Sequence, residues 1–211
     1  TVPATFPMGY NSFYCMKYEI SQLQYVEFLN SLTFSQQQTR IPTDPTAVAG
    51  TYVTYGANYY RNGIVIETPG NNAAIPAVFG CDATNGVINN SNDGQSVVMA
   101  NLSWADLAAY LDWSALRPMT ELEYEKVCRG TMARVAGEYP WGDTNINAYN
   151  STTVVNPLQP TEEANSVLNG RCAFGLGSAN PAYGPLKVGV FATGTSGRSS
   201  AGASYYGAME M

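Results

Sequence analysis

"LRPMTELEYEKVCRG", residues 116 to 130, is the stretch on which the reading of this chain turns. Thr120 followed three residues later by Glu123 has the spacing of a capping box, in which each side chain satisfies a backbone N–H of the other residue. Met119 before the cap and Tyr124 at the fourth helical position suit a hydrophobic staple, and Arg129 followed by Gly130 suits a helix end. The spacing therefore predicts a helix from about 121 to 129. The same stretch holds three glutamates, two arginines and a cysteine. Glu121 and Glu125, one turn apart, have the spacing of a paired acid and base. The helix dipole and the cap already account for acidic residues at 121 and 123. Cys128 is expected to be a small buried apolar residue with a free thiol, since the chain has no histidine to activate it.

Two further segments open in the same way. In "YEISQLQYVEFLN", residues 18 to 30, Ser21 and Gln24 form a box, with Ile20 and Tyr25 as the staple. In "NLSWADLAAYLDW", residues 101 to 113, Ser103 pairs with Asp106 and Leu102 with Leu107, and the apolar positions then recur at helical spacing. Between these two helices lies a Thr-, Asn- and Gly-rich stretch at about 33–100. Within it "ANYYRNGIVIE" reads as a hairpin, with Asn62-Gly63 supplying the positive φ angles of a tight turn. "CDATNGVINNSNDGQ", residues 81 to 95, is an oxygen-rich loop of a kind that can bind calcium. An EF-hand register starting at Asn89 places Ala100 where a bidentate glutamate is required, so an ordinary surface loop is the simpler reading. From 131 onward turn residues dominate, predicting loops and short strands.

Composition bounds the function. The 211 residues suit one domain, spanning 1–211, and 45% hydrophobic residues are enough for a sizeable core. Charged residues are only 12%, against about 25% in an ordinary soluble domain. With fifteen Tyr and abundant Asn, Thr and Ser, that balance suggests an extracellular or cell-surface protein. A net charge of -6 without a basic run argues against nucleic acid. No apolar run approaches the ~18 residues of a transmembrane segment. The start at Thr1 carries neither an initiator Met nor a leader pattern, which suggests a processed or excised end. Cys15, Cys81, Cys128 and Cys172 form no CxxC, and without histidine the usual iron, copper and zinc ligand is missing.

The order "YEISQLQYVEFLN", "LSWADLAAYLDW", "RPMTELEYEKVCRG", "YPWGD" and "GASYYGAMEM" resembles the formylglycine-generating enzyme, or sulfatase-modifying factor, family. The resemblance runs from about residue 10 to the last residue and leaves out the 33–100 insertion. It implies an irregular α+β fold related to C-type lectins, with few helices, short sheets and much loop. Where the family usually reads Arg-Leu-Pro-Thr-Glu, this chain has "RPMTE", which shifts the proline without removing the cap. Active members bind copper through two cysteines after a Gly-Asn-x-Trp-Glu motif, and "YYGAMEM" stops just before that motif. The domain is therefore expected to be incomplete at its C-terminus. The four cysteines match neither copper position, and the related iron oxygenases need histidines, so no copper or iron site is visible. The resemblance also implies structural calcium near Asn147 and Ala148, the latter through its carbonyl. It points to a non-catalytic, exported domain used for binding or assembly, as in similar domains of gliding-motility and type IX secretion lipoproteins. Its partner would be a protein or glycan at the cell surface, its own C-terminal segment or another chain. The alternative is a copper-dependent oxidase whose catalytic cysteines lie beyond residue 211.

Overall fold

A computed structural model describes residues 2–54, 59–71, 75–149, 154–164, 169–173 and 184–211. Helix α1 (Gln22–Asn30) is followed closely by α2 (Phe34–Arg40). Strands β1 (Ile64–Thr68) and β2 (Val78–Cys81) come next, then α3 (Trp104–Trp113) and α4 (Glu121–Arg129). Four two-residue strands complete the order: β3 (Asn147–Ala148), β4 (Val154–Val155), β5 (Glu163–Ala164) and β6 (Arg171–Cys172). Among the described residues the sheets are all two-stranded. β1 pairs with β2 and β4 with β5, both antiparallel, while β3 pairs with β6 in parallel. This is an irregular α+β fold.

The three boxes read from sequence cap α1, α3 and α4, each with both reciprocal bonds present. Gly130 closes α4 at φ 65°, a conformation in which a side chain would also strike the Tyr205 ring. Helix α2 lies inside the stretch read as loop. It has its own box, Thr33 with Gln36, and buries Gln37, whose amide donates to the Leu29 and Ala77 carbonyls and accepts from the Ala77 N–H. Two of the staples face the core: Ile20 and Tyr25 are buried in it, and Leu102 and Leu107 pack against it. Met119 and Tyr124 are each 38% exposed, so the third staple pair lies at the surface.

The hairpin expected at Asn62-Gly63 is not formed. β1 starts directly after Gly63 and pairs with 78–81, while Val65 bridges to Tyr52. Positive φ falls two residues earlier, at Tyr60 (53°) and Arg61 (64°). The cause is the buried side chain of Gln22, which donates to the Arg61 carbonyl and accepts from the Gly63 N–H, both at 2.8 Å. This segment is thus bound across the start of α1, and the chain turns back more widely than a two-residue turn would, with the Val53 N–H donating to the Ile64 carbonyl at 3.0 Å and the Ile66 N–H to the Thr51 carbonyl at 2.9 Å. A Cβ on residue 63 would come within 2.8 Å of the Ala83 Cβ and N, which makes glycine a packing requirement there.

The main core joins α1, β1, β2 and α3, with Tyr25, Phe28 and Tyr110 in mutual ring contact. A smaller core gathers Tyr149, Leu186, Val190 and Phe191. Between them runs a buried ion pair. The Arg61 guanidinium meets the Glu162 carboxylate and donates to the Pro185 carbonyl, and Glu162 also accepts from the Leu158 and Lys187 N–H groups. Among the described residues no helix is long and apolar enough to cross a membrane.

Candidate functional site

A groove of about 800 Å³ opens between residues 13–19, helix α3, the 115–119 connection and the last three residues. Its walls are held by backbone pairing: the Met209 N–H donates to the Lys17 carbonyl at 2.8 Å, and Met99 N–H to Ile20 O at 2.7 Å. Aromatic and thioether side chains line it, among them Trp104, which is 68% exposed, and Tyr14, which is 96% exposed. Exposed apolar area gathered in one place marks a binding surface more often than scattered residues do.

Two carboxyl groups, Glu19 and Glu210, form part of the groove wall and stand close enough for each to affect the other's ionisation. They also line a second cavity, of about 290 Å³, together with Cys172, Lys187 and Trp141. Glu210 sits at φ 59° and accepts from the Gly189 N–H at 3.0 Å. Burial raises its pKa to about 7, and the Glu19 charge adds to the rise against the pull of the backbone amides and Lys187. Glu19 is raised as well, by burial. Such a pair holds a proton more readily than isolated carboxylates do.

Glu123 also reaches the groove, but its oxygens are occupied. Arg117 donates to both, at 2.8 and 2.7 Å, and the Thr120 N–H donates at 2.9 Å. The Arg117 bond is the main reason its pKa falls to about 2. Of the suggested acid and base pair, Glu125 binds Arg129 at 2.6 Å, and Arg129 continues to Glu138 at 2.9 Å. Glu121 is exposed in the first turn. This helix therefore spends two of its three carboxylates on ion pairs.

All four cysteines are free thiols, and Cys128 is buried as expected. Burial raises the pKa of every one, Cys81 to about 12. That shift works against the thiolate that nucleophilic attack or soft-metal binding needs. Asn147 and Ala148 form β3 and pair with Arg171 and Cys172. The Asn147 side-chain amide donates to the Asn169 carbonyl at 2.6 Å and its N–H to Gly170 O at 2.7 Å. Among the described residues no three His, Cys, Asp or Glu side chains stand together as a metal cluster. A calcium ion at β3 would accordingly rest mainly on neutral amide and carbonyl oxygens, a donor set that suits a hard cation. Asn150, which opens an Asn-Ser-Thr triplet of the glycosylation-acceptor pattern, lies outside the described residues. The Glu19 and Glu210 pair was not foreseen. The two residues are far apart in sequence, and neither sits in a spacing that signals chemistry.

Fold and groove together define an irregular α+β domain with an open, aromatic-lined groove. The family model of the sulfatase-modifying factor enzyme 1-like domain matches residues 4–174, and the chain belongs to that FGE-sulfatase family. No curated protein and no solved structure matches it.

Proposed function

We propose that this domain is a non-catalytic member of its family, exported and used at the cell surface to bind a protein or glycan in the groove beside α3. The observation that carries this reading is the groove itself, with exposed Trp104 and Tyr14 over carboxylates that are hydrogen-bonded or hold a proton. Aromatic faces beside fixed acceptors are the chemistry with which a surface holds sugar rings or peptide segments. The raised thiol pKa values support a binding role over thiol chemistry. Calcium at Asn147 and Ala148 belongs to the same reading, as a structural ion. The test uses the 211-residue chain with copper, oxygen and a sulfatase-type cysteine peptide, followed by mass spectrometry. An unchanged peptide is expected, and formylglycine formed at catalytic rates overturns the reading. In parallel, glycan and peptide arrays should show ligands that Trp104→Ala no longer retains.

The family description, which names an enzyme, favours a second reading: a copper-dependent oxidase with its cysteine pair beyond residue 211. The gene sequence downstream of Met211 separates the two, since closely spaced cysteines there support the oxidase.

A further inference from the structure

The loop after β2 buries two carboxylates. Asp82 is 7% exposed and Asp93 0%, and neither belongs to any of the ion pairs among the described residues. Their hydrogen bonding differs sharply. Asp93 is well served: one oxygen accepts from the Thr84 hydroxyl at 2.7 Å and its N–H at 3.3 Å, the other from the Asn90 N–H at 2.8 Å. Asp82 receives one long bond, from the Gly86 N–H to Oδ2 at 3.4 Å, and its Oδ1 is buried with no hydrogen-bond partner. A second buried oxygen on this loop, Gln95 Oε1, is in the same condition, while Gln95 Nε2 donates to the Asn90 carbonyl at 2.6 Å.

A carboxylate shut away from water without a counter-charge is strongly unfavourable. At 7% exposure the remedy has to be small, which leaves a buried water, a proton or a bare ion, and of these the ion also supplies the missing counter-charge. The loop is built of oxygen donors and has its backbone fixed around Asp82. The Tyr52 hydroxyl lies 3.2 Å from the Asp82 carbonyl and 2.6 Å from Asn85 Oδ1, and Asn85 and Asn89 take positive φ, 54° and 68°. The chain has no histidine, so nitrogen ligands are absent. An irregular set of oxygens suits calcium better than magnesium, which demands near-ideal octahedral geometry.

We propose that the 82–95 loop binds calcium, with the buried Asp82 carboxylate as its anchoring ligand and the oxygens of the same loop completing the shell. This site is separate from the Asn147 and Ala148 position and does not depend on it.

Terbium, which substitutes for calcium and emits when a nearby tyrosine transfers energy to it, is the probe. Titrating the 211-residue chain with terbium should give saturable, tyrosine-sensitised emission that calcium competes away. Asp82→Asn, which keeps shape and removes charge, should weaken binding about tenfold or more, while Asn147→Ala leaves the Asp82 signal in place. Tyr52→Phe, which does not touch the carboxylate, should remove most of the emission yet retain calcium binding by calorimetry. This second variant decides the matter if Asp82→Asn fails to fold by near-UV circular dichroism. Absence of binding by the wild-type chain at millimolar metal overturns the proposal. So does full emission from Tyr52→Phe, or binding abolished by Asn147→Ala and untouched in a folded Asp82→Asn protein. That last result leaves the Asn147 reading standing.

Discussion

Arg117 and Glu123 meet in a two-point clasp, Nη1 to Oε2 at 2.8 Å and Nη2 to Oε1 at 2.7 Å, at the start of α4. Glu123 also accepts from the Thr120 N–H, so one carboxylate both caps the helix and ties it to the preceding connection. The charged form is the bonded form. With a folded pKa of about 2 against an ordinary 4.5, its contribution is complete above 4.5 and is lost as pH falls from there toward 2. Glu123→Ala should cost about 1 kcal/mol at pH 7, because Arg117 is half exposed and solvent weakens the pair. Urea unfolding at pH 7 and pH 3 checks this, and the deficit should shrink at the lower pH.

Glu210 should titrate with the opposite sign. Its pKa in the folded protein is raised from 4.5 to about 7, so the folded state holds its proton more tightly than the unfolded chain does. Stability from this group is full below pH 4.5 and declines as pH rises to 7. At roughly 1.4 kcal/mol per unit, the loss between 4.5 and about 7 is about 3 kcal/mol. Glu210→Gln should flatten that decline and raise the melting temperature at pH 8. An unchanged pH profile in the variant would show that Glu210 does not carry the effect.

Gly63→Ala tests the packing of the β1 entry. The added methyl meets Ala83 at 2.8 Å, and the segment has no room to retreat while Gln22 holds it on both sides. A loss of about 1–3 kcal/mol is expected from overpacking. Thermal unfolding of the variant measures it, and a neutral outcome would mean that β1 and the Ala83 turn can separate.

Alkylation should rank the thiols. Cys15 is exposed, whereas Cys81 is fully buried with its pKa pushed up to about 12. Timed iodoacetamide labelling of the native protein, read by peptide mass spectrometry, should modify Cys15 first and Cys81 only on unfolding.

Legibility in the sequence followed the range of the interactions involved. The caps of α1, α3 and α4 are local, and Ser21, Ser103 and Thr120 announce them through residues three positions away. Helix α2 carried the same signal in Thr33 and Gln36 but is short and rich in glutamine, so no apolar stripe drew attention to it. Asn62-Gly63 misled because the dipeptide speaks only for turn propensity. Gln22, some forty residues away, overrode it with two buried hydrogen bonds. The Glu19 and Glu210 pair is assembled by the meeting of the two ends of the chain, and nothing local to either residue encodes it.

The Arg61 and Glu162 pair has a consequence for how the molecule comes apart. It spans 101 residues of sequence and lies between the two cores, with Glu162 fully buried. Opening either side strands a charge in the other, at a cost of about 3–5 kcal/mol. Partial unfolding is thereby penalised from both directions, and the main and smaller cores should melt as one cooperative unit. The same coupling makes formation slow to begin, since the chain must close a long loop before the pair can lock. Once locked, the pair favours a native state that releases its halves together.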